Sequence, residues 1–461
     1  MIEVSAELLA RHDRPGPRYT SYPTAVEFTE EFGPDDYARR LTAASRRPGE
    51  PLSIYVHLPF CEKRCAFCAC HVVVTKNPEL ANVYLPRVLA ESELVATLLG
   101  ERRRVVQYHW GGGTPTHYPP EALRRLHQGL LGHFELVPDA EVAVEVDPRV
   151  TTSEHLRVLR ELGFNRLSMG VQDLDDTVQA LIGRFQTVEQ TVTLYHEARR
   201  LGYESINFDL IYGLPGQDEE TLTRTLEAVI EMGPDRLAVY SFAYVPWMRP
   251  HQKRIDEELL PDTEHKFRLL ATVVSALTGA GYLQVGMDHF ALPDDELVVA
   301  AREGTLTRTF MGYTTKRDTE TVAFGTSGIS DVDGSYAQNH RRLASYYQAV
   351  DAGELPIERG YRLNLDDALR RLVITELMCN GSVDLAVAGM RFGIDGPAYF
   401  SAEMRSLLSP GGLAEEGMAE VDGARVQATE LGALFVRRLA AVFDAYTERR
   451  LGDKPMFSKT V

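Results

Sequence analysis

Cys61, Cys65 and Cys68 fall within eight residues, spaced C-x3-C-x2-C, directly after the apolar run Leu52 to Phe60. Three soft thiolates this close in sequence can wrap one metal centre, but the motif itself brings no fourth ligand. A [4Fe-4S] cluster held in this way keeps one iron open to a small molecule. A structural zinc site would have to take four ligands from one loop: Cys61, Cys65, Cys68 and either Cys70 or His71. Such sites usually join two cysteine knuckles from separate segments. Phe60 precedes the motif and Phe67 lies within it, and apolar shielding of this kind tunes a redox centre. The iron–sulfur reading is favoured, with Cys61, Cys65 and Cys68 as metal ligands and Cys70 as a neighbour.

A second stretch, Trp110-Gly111-Gly112-Gly113-Thr114-Pro115, contains three glycines that permit close backbone approach and present main-chain N–H and C=O groups to a ligand. Glycine runs also serve as plain turns, so the weight comes from its place after a strand, beside a cysteine loop that follows another. The backbone here could hold the amino group of an amino-acid-like ligand that also reaches the open iron. Further on, Glu145, Gln172, Asp209 and Phe242-Ala243-Tyr244 lie at or near the ends of successive strand-like runs. One such residue is ordinarily a surface or capping group; the same end used repeatedly is where barrel enzymes build their sites. Asp209 could bind ribose hydroxyls, Glu145 a cationic or hydroxylated part of a ligand, and Arg184 a carboxylate in bidentate fashion.

The elements needed to position these residues are legible as a rhythm. Strand-like runs near 52–58, 105–110, 141–147, 166–172, 205–212 and 236–243 alternate with amphipathic stretches at 83–99, 120–134, 153–162, 188–201 and 219–232. A sixth helix is expected over 265–280. Alternation of this kind predicts an α/β fold with a parallel sheet. Within the runs, Val142, Val144 and Val146 oppose Glu141, Ala143, Glu145 and Asp147; Ile206, Phe208 and Leu210 oppose Ser205, Asn207 and Asp209. Strands buried on both faces are usually apolar throughout. One persistently polar face therefore predicts a ligand-filled interior and a partial (β/α)6 barrel with a lateral opening. Residues 283–350 are expected to add strands that close the side of the barrel.

Three parts are expected: an N-terminal segment (1–50) over the barrel mouth, the partial barrel (51–354), and a mainly helical, winged-helix-like C-terminal domain (355–461). Helical runs at 365–378 and 431–446 flank the hairpin signal Val421-Asp422-Gly423-Ala424. The prolines and tyrosines around Arg18 predict a packed N-terminal segment and not a loose leader. A formal net charge of -17 speaks against sequence-independent binding of nucleic acid or anionic membrane. No apolar run approaches the roughly 20 residues that span a bilayer, and no secretory leader is visible, so a cytoplasmic protein is expected. Four of five cysteines lie within ten residues, which is not a disulfide framework. Cys379 is expected to be a buried core thiol.

Taken together, these motifs resemble the radical S-adenosylmethionine superfamily. More narrowly, Arg18 to Thr24, Tyr55-Val56-His57, His109 to Pro115, Glu145 to Pro148, Asn165 to Asp173, Asp209 to Pro215, Gly286 to Phe290 and Tyr336 to Asn339 resemble its oxygen-independent coproporphyrinogen III dehydrogenase family. The resemblance covers nearly the whole chain. It implies a first S-adenosylmethionine on the open iron near Tyr55, Gly112, Glu145 and Ile329. A second is implied near Phe67, Gly113, Thr114, Gln172, Arg184, Asp209 and Ala243. Tyr55, Glu145 and Arg184 are the candidate catalytic residues. The implied reaction uses a 5′-deoxyadenosyl radical to convert two propionates of coproporphyrinogen III to vinyls, releasing CO2 and giving protoporphyrinogen IX for haem synthesis. A tetracarboxylate substrate suits arginines such as Arg18, Arg166 and Arg184 near the mouth. A flavodoxin- or ferredoxin-type electron donor and a monomeric state are also implied. Ala66, Ala69, His71 and Phe185 depart from the family pattern. Two rivals share the superfamily, a methyltransferase or cyclopropanase using two S-adenosylmethionines, and a haem chaperone; the haem-binding His-Asn-x-x-Tyr-Trp motif of the latter is absent. A zinc-stabilised winged-helix regulator is the third, disfavoured by the acidic balance.

Overall fold

The computed structural model describes residues 4–77, 79–447 and 457. Six strands, β1 (Leu52–Leu58), β2 (Arg104–Gly112), β3 (Glu135–Val146), β4 (Arg166–Gln172), β5 (Ser205–Tyr212) and β6 (Arg236–Ser241), lie side by side in chain order and pair in parallel. Consecutive parallel neighbours need crossovers, and the longer connecting helices Ser153–Glu161, Val188–Arg200 and Glu219–Met232 pack on one face of the sheet. That face is apolar. Ile54, Val56 and Leu58 of β1, Val142, Val144 and Val146 of β3, Leu167, Met169 and Val171 of β4, and Ile206, Phe208 and Leu210 of β5 are buried there. Tyr55, Glu145, Ser168 and Asp209 alternate with them and remain half-buried on the other face. The period-two pattern thus decides which face meets the helices.

The helices begin where the sequence supplies caps. Thr152 caps Ser153–Glu161, Thr187 and Gln190 form a capping box for Val188–Arg200, and Asp218 caps Glu219–Met232. One helix, Asp176–Ile182, was not expected; it is short, capped by Asp175 and ended by Gly183 in the left-handed region. Strand β2 also runs further than its apolar pattern implies, because Gly111 and Gly112 continue the ladder opposite His57 and Leu58.

The additional strands behave differently from the expectation of side closure. β7 (Leu283–Val285) and β8 (His289–Ala291) extend the β6 edge, whereas β9 (Glu320–Phe324), β10 (Ile329–Val332), β11 (Ser335–Asn339) and β12 (Ile357–Arg362) extend the β1 edge. The result is one twelve-stranded sheet in the order β12-β11-β10-β9-β1-β2-β3-β4-β5-β6-β8-β7. Among the described residues its two edges do not pair with each other. β12 lies beyond residue 354, so the sheet reaches past the boundary anticipated from composition.

A second core joins the chain's two ends. Tyr19 and Tyr22 pack with Leu369, Val373, Phe400, Leu439 and Phe443, among others. Tyr19 Oη donates to Asp444 at 3.0 Å, and the Ala445 N–H donates to Tyr22 Oη at 3.0 Å. The C-terminal hairpin pairs Ala419–Asp422 with Arg425–Ala428, and Ser382–Asp384 adds a third strand. The helix expected over 431–446 is instead two short ones, Glu430–Leu434 and Val436–Ala441, with Phe435 between them. Cys379 is buried near the end of Leu365–Asn380, and burial pushes its thiol up to about 12. No helix among the described residues is long and apolar enough to cross a membrane.

Candidate active site

The cysteine loop leaves the end of β1 and is tied down on every side. Residues Phe60–Cys61 pair in parallel with Val73–Val74. The Ala66 N–H donates to Ile182 O at 2.9 Å, and His251 Nε2 donates to Cys68 O at 2.8 Å. The Gln252 side chain donates to Phe67 O at 3.3 Å. Phe67 itself packs against the cluster that includes Ile182, Leu214 and Phe242. A loop fixed through its own carbonyls presents its thiols in one direction.

The glycines of the second stretch fit against this loop. The Gly113 N–H donates to Leu58 O at 2.9 Å, and the Thr114 N–H to Phe60 O at 3.0 Å. A Cβ on Gly113 would lie 2.5 Å from the Pro59 carbonyl carbon, so only glycine allows the two segments to touch. Thr114 Oγ1 is 3.3 Å from Cys61 Sγ. Gly112, at φ +112°, would place a Cβ 2.4 Å from the His57 ring.

His57 in turn carries two contacts. Its Nε2 is 2.9 Å from His71 O and its Nδ1 is 3.0 Å from Tyr55 Oη. A carbonyl can only accept, so Nε2 carries the hydrogen and Nδ1 accepts from Tyr55. This is the neutral ring, in keeping with burial pushing its pKa down to about 4. Tyr55 stacks on His109 at 5.9 Å between ring centres, and His109 Nε2 is 3.2 Å from Glu145 Oε1. The Gly112 N–H donates to Glu145 Oε2 at 3.0 Å. Burial works to raise the Glu145 carboxyl, but His109 and the Gly112 N–H outweigh it and hold it below the usual range.

Asp147 and Arg149, just past β3, had no part in the chemistry read from sequence. Asp147 accepts from Arg149 Nε at 3.0 Å and Nη2 at 2.6 Å, and from both terminal nitrogens of Arg184 at 3.2 Å. The two guanidiniums also point at Cys65 Sγ, at 3.7 Å and 3.8 Å. Burial raises the Asp147 carboxyl, yet Arg184 and then Arg149 bring it below the ordinary aspartate range. Arg184 thus already pairs with a carboxylate of the chain's own, Asp147. The signal was Asp-Pro-Arg directly after a strand end.

Asp209 receives Ser168 Oγ at 3.0 Å and Asn207 Nδ2 at 2.8 Å. Burial, followed by the charge of Glu145, pushes its carboxyl up to about 6. Gln172 adopts φ +69° where the β4–β5 register shifts, a bulge that re-aims its side chain. All of these meet in one cavity of about 660 Å³, within the usual size of small-molecule sites. Cys61, Cys65, Phe67, Cys68, Gly112, Gly113, Thr114, Glu145, Gln172, Arg184, Asp209 and Ala243 all line it. Tyr55 does not line it; its hydroxyl meets His57 and its ring stacks on His109. Ile329, opening β10 opposite Gln338, is also outside the lining.

Arg166 is a correction. As the first residue of β4 it faces the opposite end of the sheet, where it pairs with Glu296 at 2.6 Å. Arg18, by contrast, does reach the cavity.

The donor set fits an iron–sulfur cluster: three thiols on one wall of a cavity, apolar shielding from Phe67, and cationic N–H groups toward a sulfur. Among the described residues, no three His, Cys, Asp or Glu side chains form a grouping that would hold a metal ion as they stand. A polynuclear cluster spreads its thiolates further apart than one ion does. Cys70 is exposed, two residues past Cys68, and also lines the cavity.

Residues 55–229 match the family described as the radical SAM superfamily. The parallel strands, the three-cysteine loop and the glycine stretch make the chain a radical SAM protein. The chain is 43% identical over 461 residues to oxygen-independent coproporphyrinogen III oxidase of Escherichia coli (strain K12), covering 100% of this chain and 99% of the other. It is 39% identical to the protein of that name from Synechocystis, covering 100% and 98%. A solved structure described as coproporphyrinogen III oxidase (HemN) from Escherichia coli, a radical SAM enzyme, superposes with a TM-score of 0.89 at 43% identity, covering 93% of this chain and 97% of that one. The chain belongs to the oxygen-independent coproporphyrinogen III oxidase family.

Proposed function

We propose that this protein carries out the oxygen-independent oxidative decarboxylation of coproporphyrinogen III to protoporphyrinogen IX in haem synthesis. The observation that carries this reading is the meeting, in one cavity, of a three-thiol loop with a backbone cradle and polar strand ends, in a chain matched end to end by enzymes of that name. When bound, a [4Fe-4S] cluster on Cys61, Cys65 and Cys68 and S-adenosylmethionine supply a carbon radical able to remove hydrogen from a propionate side chain.

The chain's own residues then have definable tasks. Gly112 to Thr114 offer main-chain groups to the amino-acid end of S-adenosylmethionine, with Glu145 beside them. Tyr55 and His109 orient Glu145 from behind. Asp209 offers a carboxylate to hydroxyl groups, and Gln172 and Ala243 line the path between. Phe67 excludes water from the thiols. Arg184 fixes Asp147 and directs an N–H toward Cys65. The clustering of Phe67, Gly113, Thr114, Gln172, Arg184, Asp209 and Ala243 on the cavity wall supports two S-adenosylmethionine molecules; Ile329, outside it, belongs to the first only by resemblance. We also assign a flavodoxin- or ferredoxin-type donor, a monomer and a cytoplasmic setting, with functional parts at 1–50, 51–354 and 355–461, the last lending β12 to the edge of the sheet.

The test is anaerobic reconstitution with iron and sulfide, then addition of reductant, S-adenosylmethionine and coproporphyrinogen III. The expected result is a four-iron spectrum, 5′-deoxyadenosine and protoporphyrinogen IX. A zinc-only protein, or 5′-deoxyadenosine without decarboxylation, would overturn it.

A further inference from the structure

Cleavage of the sulfonium of S-adenosylmethionine consumes one electron, and that electron has to reach the cysteine loop through the surface of the protein. Electron transfer falls off steeply with distance, so a carrier has to sit where the loop comes close to solvent. Lys63, Arg64, Ala69 and Cys70 of the loop are exposed, and Cys68 is half-buried. Phe67 and Cys68 are held by the turn that follows β6.

That turn, 246–255, is built around Gln252, which is fully buried. Its side-chain amide donates to Ala243 O at 3.1 Å and to Phe67 O at 3.3 Å, and its side-chain oxygen accepts from the Val245 N–H at 2.6 Å. His251 Nε2 donates to Cys68 O at 2.8 Å. With Ile255 also buried, the turn is seated on the cysteine loop from within. Other side chains of the turn face solvent: Trp247 is 47% and Met248 51% exposed, and Lys253 and Arg254 are exposed beside them.

Between Trp247 and Ile255 there are three cations and no acid. Burial and the charges of Arg64, Arg249 and Arg254 hold His251 below the ordinary histidine range, against the pull of the Cys68 carbonyl, so cations of the loop and of the turn bear on one ring. Among the described residues, none of Lys63, Arg64, Arg249, Lys253 and Arg254 forms an ion pair with a carboxylate. The nearest acids in sequence are Glu62 and the run Asp256 to Glu258, where Glu257 accepts from Tyr244 Oη at 2.8 Å. An exposed tryptophan and methionine amid unpaired cations, in a chain of net charge -17, have the make-up of an interface for an acidic partner.

We propose that the turn 246–255, together with Lys63 and Arg64, is the docking surface for a small acidic flavoprotein of the flavodoxin type that delivers the electron to the cysteine loop. This rests on the radical reading above. A flavin presents an apolar ring edge, which Trp247 and Met248 match, and carboxylates around that edge meet Arg249, Lys253 and Arg254. One electron leaves the reduced flavin and enters the cluster on Cys61, Cys65 and Cys68; no bond is made or broken and no group is transferred. Met248 reaches the lip of the main cavity, whereas Trp247, Arg249, Lys253 and Arg254 lie outside its lining, so the surface is separable from the substrate site.

The test uses the reconstituted full-length protein, the variants K253E/R254E and W247A, and a purified, acidic FMN flavodoxin as probe. Binding, measured by calorimetry, should weaken about tenfold or more in each variant, and the wild-type affinity should fall as salt is added. Turnover driven by reduced flavodoxin should fall in parallel. Turnover driven by dithionite, which needs no docking, and iron content should stay at wild-type levels. No binding of flavodoxin to the wild type, or wild-type binding in both variants, would overturn the docking surface. So would loss of the dithionite-driven reaction with a raised KM for coproporphyrinogen III, which would assign these cations to the substrate. If either variant loses iron, K253Q carries the decision: weaker binding with a shallower salt dependence supports the surface, and an unchanged salt dependence overturns it. A wild-type cluster that flavodoxin reduces, without decarboxylation of coproporphyrinogen III, would instead overturn the functional reading and leave the surface in place.

Discussion

Asp147 should be the most consequential residue of the site that is not a cluster ligand. It is mostly buried and accepts from two guanidiniums, with a further bond from the Arg149 backbone N–H at 3.0 Å. The substitution Asp147→Asn keeps the shape, replaces one acceptor oxygen by a donor and leaves two buried cations without a counter-charge. Removing one partner of a buried ion pair costs about 3–5 kcal/mol, and two cations on one carboxylate place the loss toward the upper end. Arg184→Met should cost less, because Arg149 still neutralises Asp147. The double variant should be non-additive by about 1–3 kcal/mol, since both changes break the same network. The assay is urea unfolding of the apoprotein in reductant, followed by the fluorescence of Trp110 and Trp247, which keeps cluster loss out of the measurement. The sign with pH follows from the depressed carboxyl. Its contribution is fully present above the ordinary aspartate range and is lost as pH falls through the still lower folded value. The deficit of Asp147→Asn should be constant from pH 5 to 8. A deficit below about 0.5 kcal/mol, or strict additivity with Arg184→Met, would refute the network.

Other expectations are as direct. Gly113→Ala forces a Cβ to 2.5 Å from the Pro59 carbonyl carbon, an overpacking of about 1–3 kcal/mol at the junction carrying the cysteine loop; iron bound per chain should fall while far-UV circular dichroism is unchanged. Cys70→Ala should keep its iron after reconstitution and Cys68→Ala should lose it, measured by iron and sulfide analysis. Asp209, raised to about 6, should make S-adenosylmethionine affinity weaken as pH falls through that value, because the ionised form is the better acceptor for hydroxyls; Asp209→Asn should flatten that profile in a binding titration.

What the chain discloses in one dimension is what depends on short-range order. The thiol spacing and the alternation in β3 and β5 are local, and each leads directly to a structural element. The address of a side chain along a strand is also local. Arg166 opens its strand and so belongs to the end away from the site, which its position already implied. Pairing across hundreds of residues is another matter. That β7 and β8 join one edge of the sheet while β9 to β12 join the other depends on backbone ladders with no signature in either partner.

The site divides along the same line. Cys61 to Cys68 and Gly111 to Gly113 were recognisable because each motif is contiguous. The fit between them was not, since the Cβ excluded at Gly113 is excluded by Pro59. Asp147, Arg149 and Arg184 gain their meaning from a triangle closed at Cys65, and no one of the four indicates it alone. Arg18 is the extreme case. Resemblance places it near the mouth, but its partners Ser241 and Asp288 are set only by the fold. The residues that bring the radical chemistry are thus written in local motifs. Those that hold the cysteine loop are written only in the fold, where a neutral or reversed charge at Asp147 or Arg149 would pass unnoticed in the sequence and fail in the protein.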